Sequence, residues 1–237
     1  MKINSTNKMD NQNLKCLIGG FSSAGKTTLA GTIDTPTLVI SAESGLLSLR
    51  GKEVDYIDLN VNDKGEVLKE PSQRVKRLAD VFQYLHDTPN LKYKNVFLDS
   101  LSEIGELLVE KLQKDFPDRK DSFPMWGEYS KVMKSIVKKF RDLPYNVFMT
   151  CIIEVDKDQN NKRFLSFDIP GRISEKLPQY FDEVFYLMAD EDGKRHLHTK
   201  ATDTLRHAKD RSGRLEALEN PDLGLITKKI FVGGKEK

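Results

Sequence analysis

Short apolar runs alternate with amphipathic stretches along the chain. Most of the runs at residues 14–18, 37–41, 54–59, 95–99, 146–153 and 183–188 are nearly continuous in Val, Ile, Leu and Phe. Such runs suit strands covered on both faces. Three helices are predicted between them, each from an apolar stripe at helical spacing. Residues 72–87 align Val75, Leu78, Phe82 and Leu85; residues 101–114 align Leu101, Ile104, Leu108 and Leu112. Residues 128–142 align Tyr129, Val132, Met133, Ile136, Val137 and Phe140, with Lys131, Lys134, Lys138 and Arg141 on a solvated opposite face. This order predicts an α/β domain with a mainly parallel sheet flanked by helices. Past residue 153 the texture changes. The polar stretch 154–163 contains Gln159-Asn160-Asn161, a turn signal between two extended segments. Residues 195–199 alternate in polarity, and a C-terminal segment follows at 226–232. Both are expected as antiparallel strands added at the C-terminal edge of the sheet, within a single domain spanning 14–237.

Composition narrows the setting. Of 237 residues, 38% are hydrophobic and 31% charged, as in a soluble globular body. No apolar run approaches the roughly 20 residues of a membrane span, so no membrane association is expected. Residues 1–13 are polar, read as a flexible arm, and lack the apolar stretch of a secretory signal. Cys16 and Cys151 lie inside apolar runs, which suits buried thiols in a reducing, cytoplasmic compartment. A net charge of +2 excludes a strongly basic nucleic-acid binder but permits a local basic groove. His196 and His198 share a strand face with no third ligand nearby in sequence, so no metal site is expected there.

The sharpest chemical signal is Gly20-Phe21-Ser22-Ser23-Ala24-Gly25-Lys26-Thr27, which matches G-x-x-x-x-G-K-[ST]. A predicted strand precedes it and a helical start, Thr27-Thr28-Leu29-Ala30, follows. In such a loop the backbone N–H groups turn inward around phosphate oxygens, and glycine at 20 and 25 permits the curvature and the close approach. The helix start adds partial positive charge. Gly20, Ser22, Ser23, Ala24, Gly25, Lys26, Thr27 and Thr28 are the candidate contacts to ATP. Lys26 reaches the β- and γ-phosphate oxygens and the Thr27 hydroxyl ligates Mg²⁺.

Two acids complete a hydrolytic site. Asp99 ends the run Val96-Phe97-Leu98 and would organise Mg²⁺ from a neighbouring strand; it could equally cap the helix beginning at Leu101. Glu43 ends Leu38-Val39-Ile40-Ser41-Ala42. If that strand lies beside the P-loop strand, Glu43 can orient or deprotonate the attacking water.

These segments, with Trp126-Gly127-Glu128, RDLPYNVFMT, IPGRI, LPQYFDEVFYL and AKDRSGRL, make the chain resemble the RecA superfamily from about residue 14 to 231. More narrowly it resembles the phage-encoded RecA-like ATPases, a phage nucleotide-binding AAA-type family linked to single-strand annealing and recombination. The resemblance implies a RecA-like fold, a Mg²⁺-dependent ATPase, a bacterial host cytoplasm, and single-stranded DNA as a partner. A single-strand-binding protein is a further expected partner. A RecA-fold helicase-like motor or loader is the alternative. It assigns Glu43 as the catalytic glutamate and Asp99 as the Mg²⁺-organising aspartate. Thr150 falls at the γ-phosphate sensor position, with Cys151 and Glu154 as alternatives. Lys209-Asp210-Arg211 resembles the pair of cations that RecA-like rings or filaments insert into a neighbour's ATP site. Loops with Arg119, Lys120 and Phe123, and with Lys157, Lys162, Arg163, Phe164, Phe167 and Arg172, would meet DNA through cations and stacking aromatics.

Overall fold

The apolar runs form strands because each can bury both of its faces. A computed structural model describes residues 13–117 and 122–232. Its strands are β1 (Lys15–Gly20), β2 (Thr37–Ser41), β3 (Asp55–Asp58), β4 (Asn95–Asp99), β5 (Asn146–Lys157), β6 (Arg163–Phe167), β7 (Glu183–Ala189), β8 (Arg195–His198), β9 (Lys209–Asp210) and β10 (Leu218–Glu219). The helices are α1 (Pro71–Asp87), α2 (Leu101–Asp115), α3 (Phe123–Arg141) and α4 (Leu223–Val232).

The sheet runs β10-β8-β7-β1-β5-β4-β2-β3. From β7 to β3 every pairing is parallel, while β8, β9 and β10 join antiparallel beside β7. Mainly parallel strands, flanking helices and an antiparallel edge are the architecture that the RecA resemblance implies. Side chains alternate between two apolar layers. Leu17, Leu38, Leu98 and Met149 join one layer with Leu78, Leu108 and Met133 of α1, α2 and α3. Ile18, Val39, Phe97 and Phe148 join the other with Leu29, Leu223 and Ile226.

The helix starts have local causes. Before α1, Glu70 and Gln73 form a reciprocal capping box and Pro71 opens the first turn. Pro124 occupies the first turn of α3, which begins at Phe123, five residues before the apolar stripe suggested.

One expectation is corrected and two are refined. Residues 226–232 are not a strand but belong to α4: Leu223, Ile226 and Ile230 fall on one helical face and bury against the second layer. The segment after the P-loop is a six-residue 3₁₀ turn, Thr27–Thr32, ended by the Asp34-Thr35-Pro36 stretch before β2. β5 continues past residue 153 to Lys157, because its end pairs with β6 as a hairpin that projects beyond the sheet.

Among the described residues no helix is long and apolar enough to cross a membrane.

Candidate nucleotide site

β1 lies between β5 and β7, and the P-loop leaves its C-terminal end. Gly20 is confined there: a Cβ would sit 3.1 Å from the Leu187 carbonyl oxygen and 3.2 Å from Lys26 Cγ. Gly25 has φ +98°, a conformation that strains any L side chain. Between them Ala24 N–H donates to the Phe21 carbonyl at 3.1 Å, closing the turn. The loop draws Lys26 in. Its side chain is buried, and Nζ donates to the carbonyls of Gly20 and Phe21 at 3.0 Å each. Burial lowers the Lys26 pKa, while the negative charges of Glu43 and Asp99 oppose that shift.

The sheet order corrects one premise. Neither β2 nor β4 is next to β1; β5 separates β1 from β4, and β2 lies beyond β4. The acids reach the loop all the same, because parallel strands in register end on one edge. Thr27 Oγ1 donates to Asp99 Oδ2 at 2.5 Å, and Thr150 Oγ1, on the intervening β5, donates to Asp99 Oδ1. Burial raises the Asp99 pKa, and the two hydroxyls counteract it by favouring the carboxylate. Thr150 is itself fully buried beneath Asp99, and from β5 it is Ile152 that lines the cavity. Cys151 turns to the other layer, where burial pushes its thiol up to about 12. Glu154 is exposed on the projecting hairpin.

The helix cap belongs to Ser100, which accepts from Glu103 N–H at the start of α2 and thereby frees Asp99 for the loop. Ser100 Oγ also donates to Glu43 Oε1 at 2.6 Å, fixing an otherwise exposed carboxylate at the mouth of an open cavity of about 250 Å³. Ser22, Ser23, Thr27 and Thr28 contribute to its wall. So do two residues that no local pattern announced, Ser48 and Arg195. Ser100 was legible as the residue after the acid. Arg195 was not, since only the return of the β7–β8 hairpin carries it to the P-loop.

Thr27 and Asp99 fit Mg²⁺. They offer adjacent hard oxygens, and Mg²⁺ typically takes one or two protein ligands and fills its other positions with water and phosphate. No cluster of three His, Cys, Asp or Glu suited to a metal occurs among the described residues; His196 faces Asp190 at 3.1 Å.

The remaining candidates lie away from this cavity. Lys209 and Asp210 pair with Val184 and Glu183 at the start of β7, the edge of the sheet opposite the P-loop. There Lys209 Nζ donates to the carbonyls of Pro178 at 2.9 Å and Phe181 at 2.5 Å, and Arg211 pairs with Asp182 at 3.1 Å. Lys157, Lys162 and Arg163 are exposed on the β5–β6 hairpin, and Arg172 is exposed in the turn Gly171–Ile173. One aromatic of that region is closed to stacking with bases, and another has one ring face covered. Phe167 is buried against Tyr186, with ring centroids 5.5 Å apart, and Phe164 lies under the Arg206 guanidinium at 4.3 Å. Arg119 and Lys120 lie outside the described residues.

No curated protein matches the chain in sequence. Among solved structures the chain is similar to a prototypical ATPase from the type III secretion system of pathogenic bacteria, with 12% identity and a TM-score of 0.46. That alignment covers 86% of this chain and 55% of the other, so this chain spans about half its length. A family model described as an AAA domain matches residues 12–212, from the strand that feeds the P-loop to just past the Lys209–Arg211 segment. The chain belongs to that family of AAA-domain P-loop ATPases.

Proposed function

We propose that this AAA-domain protein hydrolyses ATP in a Mg²⁺-dependent reaction and acts on single-stranded DNA in recombination or annealing. The observation that carries the hydrolytic part is the convergence of Thr27, Asp99 and Ser100-held Glu43 on the P-loop cavity. Lys26 supplies a cation whose present partners are carbonyls of its own loop, so it can swing onto phosphate oxygens without detaching any other element. Thr27 and Asp99 would hold Mg²⁺, which when bound neutralises charge on the phosphate oxygens. Ser100 engages one oxygen of Glu43 and leaves the other for water. As water adds to the γ-phosphorus and the bond to the ADP oxygen breaks, Glu43 takes the water proton, and the products are ADP and phosphate. Glu43→Gln should lower turnover by about 10²- to 10⁴-fold while ATP affinity stays within about twofold of wild type. Normal turnover in a steady-state phosphate-release assay would remove Glu43 from this role.

The DNA part rests on the hairpin. Lys157 and Arg163 are directly opposite each other across β5 and β6, a like-charge pair that costs stability unless an anion compensates. Neither has an ion-pair partner among the described residues, whereas Lys162 approaches Asp203 at 3.7 Å. A polyanionic strand fits such an uncompensated pair. Mutating both to Ala should weaken single-strand binding and make its salt dependence shallower by about 1.4 in log–log slope, for two phosphate contacts. An unchanged slope would reject the hairpin as the contact. Self-association belongs to the same reading, with Arg211 as the cation offered to a neighbour's site. Arg211→Ala should abolish DNA-stimulated turnover and leave nucleotide binding intact.

A further inference from the structure

The geometry points to Arg195 as a second phosphate-binding cation of the nucleotide site, supplied in cis by the β7–β8 hairpin; this inference rests on the ATP-binding reading above. β8 starts at Arg195, paired with Ala189 at the end of β7, and β7 in turn lies beside β1 with Leu187 opposite Gly20. The hairpin therefore rises over the P-loop from the side of the sheet away from β5, β4 and β2. Its guanidinium lies along the loop backbone. Nη2 is 3.5 Å from the Ser23 carbonyl oxygen, and Cζ and Nη1 are each 3.4 Å from where a Cβ on Gly25 would stand. The bare α-carbon of Gly25 thus serves twice, allowing the loop its φ of +98° and leaving room for an arginine against the peptide.

Charge gives this contact its meaning. Lys26 and Arg195 are the cations on the cavity wall, and Glu43 stands on the same wall with Asp99 just behind Thr27. Asp99 would be offset by the Mg²⁺ it holds, which leaves Lys26 to offset Glu43 and Arg195 as the cation with no acid opposite it, available to a polyphosphate. Among the described residues the Ser23 carbonyl is the guanidinium's one hydrogen-bond partner. Arg195 has no ion-pair partner among the described residues, and the nearby Asp190 is taken by His196 and by the backbone N–H groups of Asp192 and Lys194. A guanidinium offers a planar fork of donors matched to phosphate oxygens. Phosphate held jointly by the loop and by Arg195 would clamp the hairpin to the loop.

The test compares wild type, Arg195→Ala, Arg195→Lys and Lys26→Ala by calorimetric titration with ATP, ADP and adenosine. Hydrogen exchange of residues 189–197 is followed with and without ATP. Arg195→Ala should bind ATP and ADP at least about tenfold more weakly, with adenosine affinity unchanged. Arg195→Lys should recover only part of the loss. ATP should slow exchange in the hairpin of wild type and not of Arg195→Ala. Wild-type affinity and protection in Arg195→Ala would overturn the inference while Lys26→Ala still fails to bind. Equal binding by wild type and Lys26→Ala would instead overturn the nucleotide-site reading beneath it. Circular dichroism of each variant separates these outcomes from misfolding.

Discussion

Three lysines in this molecule do the same local thing, and only one of them is free to do anything else. At the phosphate end of the sheet Lys26 donates to the carbonyls of Gly20 and Phe21, six and five residues away in its own loop. At the opposite end Lys15 donates to the carbonyls of Leu143 and Tyr145, and Lys209 to those of Pro178 and Phe181. Those partners lie 28 to 130 residues away, so the lower pair ties β1 to the turn before β5 and β9 to the turn before β7. Removing Lys26 from its carbonyls opens no element; removing Lys15 or Lys209 unlinks two. A lysine bonded to backbone carbonyls is thus a local loop contact at one edge and a structural staple at the other, and the sequence separation of its partners tells them apart.

Mutation can break this contrast. The largest effect belongs to Lys26→Ala, which should lower ATP turnover by about a hundredfold or more while moving the thermal midpoint by no more than about 2 °C. Destabilisation comparable to that of Lys209→Met would erase the distinction. Lys209→Met itself should cost about 2 kcal/mol of stability, since two carbonyls lose a charged donor, with ATP affinity unchanged in dilute solution. A stable variant that loses only stimulated turnover would return Lys209 to a role in a neighbour's site.

The smallest effect sharpens the lower edge. Glu183 is buried there, with Oε1 accepting from Ser212 N–H and Oε2 without a partner. Burial, reinforced by Asp210, pushes its pKa from the ordinary 4.5 to about 8. The folded chain therefore holds a proton that the unfolded chain has already released. The stability this provides is complete below about pH 4.5 and is lost as pH rises towards about 8. Glu183→Gln should flatten that fall, so denaturant midpoints of variant and wild type should separate more at pH 8.5 than at pH 5. Parallel pH profiles would show that the carboxyl is ionised throughout.

Much of the scaffold was legible because its signals are local. β2 and β4 match the predicted runs residue for residue, since in each an apolar centre is bounded by one polar residue at either end, Thr37 and Ser41 or Asn95 and Asp99. α1 announced itself through its stripe of Val75, Leu78, Phe82 and Leu85. The strand read at 226–232 shows where such reading stops. Seven residues are too few for a period to separate strand from helix, and the docking of α4 on the turn after the P-loop decided it. Leu223 N–H donates there to Thr32 Oγ1.

The sequence by itself determined the phosphate loop, because the requirements at Gly20, Gly25, Lys26 and Thr27 are carried by consecutive residues. It also placed Glu43 and Asp99 at strand ends, where an abrupt acid after an apolar run is visible. Only the tertiary structure decided how they meet: through a parallel register that brings non-adjacent strands to one edge, with Thr150 and Ser100 orienting each acid. The tertiary structure likewise brought in Arg195, 170 residues after Gly25, and withdrew Phe167 into the core. Contacts across such distances leave no trace in local pattern, because they depend on which strands become neighbours.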